Sequence, residues 1–113
     1  MTMKPYLALF EYETGKPGFS AVFPDLPGLL TAGDDYAETL EMAQAGLTAH
    51  LDFLLSAGEE PPAPRTIEQI ARTWDEWEEW RQNYQFEIVP VAPENESFAP
   101  ANATRREIML MAR

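Results

Sequence analysis

The sequence contains no cysteine, which removes disulfide frameworks and thiolate metal sites together. It contains one histidine, His50, so a histidine-rich metal site cannot be built and a catalytic triad lacks its usual company. No apolar run approaches the roughly 20 residues that a membrane-spanning helix needs. There is no G-x-x-x-x-G-K-[ST] phosphate loop, no G-x-G-x-x-G fingerprint and no serine in a G-x-S-x-G elbow. The N-terminal stretch MTMKPYLALFEYE carries one lysine and no small-residue cleavage site. That combination fits a cytoplasmic protein, although missing cysteine alone would also fit an exported one.

Basic residues are scarce too. Eight stand against nineteen acidic ones, a net charge of −11. Residues 1–101 hold five basic and eighteen acidic groups, a balance of −13, whereas residues 102–113 hold Arg105, Arg106 and Arg113 against Glu107, a balance of +2. An acidic body repels phosphate backbones, which excludes the usual electrostatic route to nucleic acid. It steers basic proteins toward itself; the same charge also serves plain solubility.

What is present suffices for one domain. The chain has 113 residues, 45% of them hydrophobic, enough for a modest core. Its strongest signal is a helix beginning at Asp35. A short acidic side chain at the N-cap can accept a free N–H of the first turn while Glu38 reaches back, and both carboxylates sit at the positive end of the helix dipole. Tyr36, Leu40, Ala43, Leu47, Leu51 and Leu54 then recur at steps of three and four, so one face is apolar. Glu38, Glu41, Ala45 and Asp52 fall on the other side. Gly58 can close the helix in the left-handed conformation, and Pro61-Pro62 forbids continuation.

Ahead of that helix the pattern is strand-like. Tyr6–Phe10 is a short aromatic and aliphatic run whose alternation sets Tyr6, Ala8 and Phe10 against Leu7 and Leu9. Thr14-Gly15-Lys16-Pro17-Gly18 is a turn by its chemistry, and Phe19–Phe23 returns as the second strand of a hairpin. Pro24 and Pro27 interrupt pairing. A third short strand, Leu29–Ala32, ends at Gly33-Asp34.

Beyond the helix, GEEPPAPR is a stiff connector. Thr66 can cap a second helix, TIEQIARTWDEWEEWRQNY, whose Ile67, Ile70, Trp74, Trp77, Trp80 and Tyr84 form a stripe about 140° wide. These rings either pack against the sheet and first helix or form a partner or dimer surface centred on Trp77 and Trp80. Phe86–Val91 is a final strand, with Pro90 suiting an edge. Residues 1–91 thus make one domain. Residues 92–113 make a polar tail, in which TRREIMLMAR could add about two helical turns. The expected fold is α+β: a small antiparallel sheet in the order β-β-β-α-(α)-β, with helices packed on one face.

Several of these stretches carry a family resemblance. The strand YLALFEYE (Tyr6–Glu13), the strand and turn from Phe19 to Gly28 ending in FPDLPG, the TAGD stretch Thr31–Asp34 and the helix from Tyr36 together resemble the N-terminal domain of the HicB antitoxin family. The strand near Phe86–Val91 extends the likeness more loosely. The resemblance implies a partial RNase H-like fold and a protein that binds and blocks a small basic RNA-cleaving toxin, HicA, covering its RNA-binding face. It also implies dimers or larger assemblies. Many relatives follow this strand with a ribbon-helix-helix or helix-turn-helix. The 22 residues after Val91 are too few for either, so specific DNA binding by this chain alone is not expected.

The candidate partner contacts, from exposure and charge logic together with the resemblance, are Glu11, Tyr12 and Glu13 on the hairpin and Phe23, Pro24, Asp25 and Leu26 in the turn. An RNase H-like sheet also invites a metal-site reading for Glu11, Asp25 and Asp34. Each has an ordinary explanation as a solvated strand end, a turn residue or a neighbour of the helix cap, so neither catalysis nor a cofactor is expected. His50 reads as a partly buried helix residue. A self-associating accessory domain of the same fold is the second reading, and a divergent metal-dependent nuclease the third.

Overall fold

The structure, a computed structural model, describes residues 4–94. The expected short helix at the chain end and the rest of the tail from residue 95 lie outside the described residues.

Tyr6–Tyr12 forms strand β1, extended because its side chains alternate between two environments. Phe19–Val22 forms β2, Leu30–Gly33 forms β3 and Gln85–Val91 forms β4. All pairings are antiparallel, in the order β3-β2-β1-β4. β1 is central and pairs along its whole length with β4, from Tyr6 opposite Val91 to Tyr12 opposite Gln85. Pro90 therefore stands on an edge strand, where its missing N–H costs no ladder bond on the open side.

One sheet face carries Tyr6, Ala8, Phe10, Ala21, Phe23, Val89 and Val91, all buried. Helix α1, Tyr36–Ser56, lies across it and contributes Ala43, Leu47 and Leu51. Its cap is the expected one. Asp35 Oδ1 accepts the Glu38 N–H at 2.8 Å, and Glu38 Oε1 accepts the Asp34 N–H at 2.7 Å. The helix stops before Gly58, whose φ of +77° lets the Glu59 N–H turn back to the Leu54 carbonyl at 2.8 Å.

The second helical segment differs from expectation. Its pattern predicts one helix, but the structure holds two, α2 (Ile67–Thr73) and α3 (Trp77–Asn83), parted where Trp74 turns extended at ψ 120°. Thr66 caps α2 through a reciprocal capping box with Gln69. In an unbroken helix, tryptophans three residues apart fan progressively around the axis. The break re-aims them: Trp74 and Trp80 lie 6.0 Å apart by ring centroid, and Trp77 and Trp80 both meet Phe86, at 6.0 and 5.7 Å.

That contact also corrects the expectation that the helices share one face. Phe86 pairs with Glu11 and Ile88 with Leu9, and these alternate with the Tyr6–Ala8–Phe10 side. The tryptophans of α3 therefore sit on the face opposite α1, where Leu9 and Ile70 are completely buried.

Candidate partner-binding site

The closed end of the β1–β2 hairpin is built by its turn. The Lys16 N–H donates to the Glu13 carbonyl at 3.0 Å. Gly18 has φ +96°, and a Cβ there would lie 3.1 Å from the Gly33 carbonyl oxygen; only glycine lets β2 begin so close to the end of β3. Thr14 ties the turn to β4, its N–H and hydroxyl both donating to Gln85 Oε1 at 3.2 and 2.9 Å.

Between this turn and the approach to α1 lies an open cavity of about 300 Å³. Its lining includes Tyr12 and Phe19 together with Glu11, Glu13 and Asp34. Behind them Tyr36 packs on Phe10 at 5.4 Å and edge-on against Phe19 at 5.8 Å, while Tyr12 meets Phe19 at 5.7 Å. The wall is thus backed by a cluster of aromatic rings. Of the lining residues only Lys16 is basic, and its ammonium already lies 3.3 Å from Glu13, with both side chains well exposed. Such an exposed pair contributes little to stability. The lining combines aromatic surface with carboxylates, a pairing that attracts an ammonium or guanidinium group.

The hairpin candidates Glu11, Tyr12 and Glu13 all line this cavity, but strand alternation turns the Glu11 side chain to the Phe86 face, away from Tyr12 and Phe19. The turn candidates do not join them. Phe23, Pro24, Asp25 and Leu26, expected at the surface, are all buried. The reason is Arg65, which sequence reasoning did not single out. Its backbone N–H donates to Asp25 Oδ2 at 2.9 Å and its Nε to Oδ1, while Nη2 reaches the Pro24 carbonyl at 3.2 Å and Nη1 reaches Thr73 Oγ1 at 2.7 Å. Phe23 and Leu26 fill the core beneath. The signal available was one arginine, between a proline connector and a helix cap, in a body short of bases.

Tyr6 closes the same corner, donating to the Pro62 carbonyl at 2.6 Å. Burial, helped by the negative charge of Asp25, raises its phenol above the usual tyrosine value.

Trp77 and Trp80 are half-buried, so packing on Phe86 accounts for part of each ring. The carboxyl of Glu78 beside them is held below its usual range by hydrogen bonds from Arg81 at 2.8 Å and Gln82 at 3.1 Å. His50 is half-buried on α1. Among the described residues, no three His, Cys, Asp or Glu side chains form a group that could hold a metal ion; Glu11, Asp25 and Asp34 are not assembled into one. No helix among them is long and apolar enough to cross a membrane.

Residues 6–102 match the family described as HicB-like antitoxin of bacterial toxin-antitoxin system. A stretch of 56 residues is 39% identical to Antitoxin HicB 2 of Photorhabdus laumondii, covering 50% of this chain but only 40% of that relative. The fold resembles a toxin–antitoxin complex chain from Streptococcus pneumoniae, with TM-score 0.65 and 20% identity over 99% of this chain and 88% of that one. It also resembles the antitoxin HicB of Burkholderia pseudomallei, with TM-score 0.59 and 15% identity over 98% and 87% of the two chains.

Proposed function

This chain belongs to the HicB-like antitoxins of bacterial toxin–antitoxin systems, and from that premise we propose that it neutralises a small basic RNA-cleaving toxin of the HicA type. The observation that carries this reading is the acidic cavity at the hairpin end. Tyr12 with Phe19 offers an aromatic surface on one side of the strand, Glu11 a carboxylate on the other and Glu13 a carboxylate at the turn, to lysine or arginine side chains that would otherwise hold RNA. Neutralisation is steric and electrostatic: the toxin's RNA-binding face is covered, and approach is accelerated by opposite charge. The family is one of antitoxins, and binding rather than catalysis is the activity. Such a pair works in the cytoplasm, where its RNA target is. The acidity of the body disfavours operator binding by this chain alone.

Phe23, Pro24, Asp25 and Leu26 are buried against Arg65 and the core and are not part of this surface. A homodimer is part of the same reading. β4 and β3 leave open edges, and the half-buried Trp77 and Trp80 offer a second surface.

The test is co-expression with a small basic protein, should one be encoded beside this chain. The two should co-purify, and growth arrest by that protein should be relieved. The double variant Glu11→Lys, Glu13→Lys should weaken the complex by roughly tenfold or more. Unchanged affinity in that variant would overturn the assigned surface, and no complex at all would overturn the function.

A further inference from the structure

Helix α1 buries one side and leaves a second apolar stripe uncovered. Met42, Ala45, Ala49 and Phe53 follow at steps of three and four, within about 80° of arc and along roughly 16 Å of helix. All four are exposed, Met42 to 46% and Phe53 to 66%. The adjoining flank of the helix is already seated: a Cβ on Gly46 would lie 2.8 Å from Thr31 Cγ2 and 3.3 Å from Leu29 Cδ1. The stripe begins just outside that contact, and sheet packing does not account for it.

Its charge selects the occupant. α1 contains Glu38, Glu41 and Asp52 and no lysine or arginine. Glu41 and Asp52 border the stripe on the side away from Gly46, and neither is in an ion pair among the described residues. A second copy of this chain would bring the same carboxylates against each other, on a protein that already carries −11. A helix with an apolar face and basic borders would fill the stripe and pair the acids. The two alanines at the centre allow close approach of its backbone, and Met42 and Phe53 anchor the ends.

We propose that this stripe of α1 is a second docking surface, separate from the hairpin cavity, and that it takes a basic amphipathic helix of the protein partner. The inference rests on the basic-partner reading above and adds to it a place and a secondary structure. Contact at both sites would grip the partner along α1 as well as at the hairpin end.

The probe is a synthetic peptide helix with leucines at i, i+3, i+4 and i+7 and lysines elsewhere, titrated into the full chain. NMR signals of Met42, Phe53, Tyr12 and Phe19 are followed. Saturable shifts of Met42 and Phe53 are expected. They should be absent with glutamates in place of the lysines, weakened about tenfold or more by Phe53→Ser, and reduced by salt. Phe53 is exposed, so this variant should fold. Shifts confined to Tyr12 and Phe19 would overturn the assignment to α1 while leaving the hairpin reading intact. Shifts at Met42 and Phe53, with no binding of the co-expressed protein, would separate the two in the opposite sense. Self-association abolished by Phe53→Ser would overturn the proposal in favour of a second copy.

Discussion

Arg65 encloses the Asp25 carboxylate from two directions, backbone N–H to one oxygen and guanidinium Nε to the other. The aspartate side chain is 3% exposed and the arginine 29%, so solvent screens only one end of the pair. This joins the turn after β2 to the start of α2 across 40 residues of sequence.

Removing the acid should therefore be costly. Asp25→Ala leaves the Arg65 guanidinium without its buried partner and should lower stability by about 2–4 kcal/mol. Glu13→Gln, at an exposed pair, should change it by less than about 0.5 kcal/mol. Urea denaturation of both variants checks the contrast; equal effects would mean that Asp25 is solvated.

Tyr6 makes an alkaline prediction. Its phenol is raised above the reference value of 10.0 by burial and by Asp25. A raised folded-state value means the neutral form is favoured on folding. That contribution is fully present below about pH 10 and is lost as the pH climbs through the folded value. Between pH 9 and 11 the natural chain should lose more stability than Tyr6→Phe, as read from the shift in urea midpoint. Identical slopes would show that burial and Asp25 do not raise the phenol.

The first helix gives an ordered pair of effects. Leu47 is completely buried, so Leu47→Ala should cost roughly 2–5 kcal/mol. Asp35 makes one capping bond at the surface, and Asp35→Ala should cost about 1 kcal/mol. Thermal or chemical unfolding that reversed this order would contradict the burial of the helix.

Self-association has a direct readout. Light scattering at micromolar concentration should give about twice the chain mass of 12.8 kDa if open edges or Trp77 and Trp80 pair two copies. A monomer throughout that range would remove the dimer and leave the rings to pack on Phe86 and on their neighbours Trp74 and Tyr84.

Local chemistry made much of this fold legible. The Asp35–Glu38 cap, the Ala43–Leu47–Leu51 stripe and the alternation of Tyr6, Ala8 and Phe10 are each decided by neighbours in sequence. What was not legible depends on partners far along the chain. Nothing local shows that Arg65 will draw Asp25 inward, so FPDL reads as an exposed loop. Periodicity also favours one long helix over residues 66–84, because the benefit of breaking it at Trp74 lies in Phe86, which is on another strand. The hairpin acids were legible as exposed charge, but Gln85, which holds Thr14, and Asp34, which lines the cavity, join them only through the sheet.

The pairing of β1 with β4 sets a timetable. Ribosomes make chains from the N-terminus, and the strand that completes the central ladder starts at Gln85, the residue that fastens Thr14. The acidic hairpin leaves the ribosome well before β4 does, yet its last two bonds wait for a residue made some 70 positions later. Contacts this distant in sequence form slowly, and a domain folds as a unit once its chain is available. A nascent chain stalled before residue 85 would display the acids without the strand that holds them. Capacity to bind would then be counted in finished molecules rather than in initiated ones.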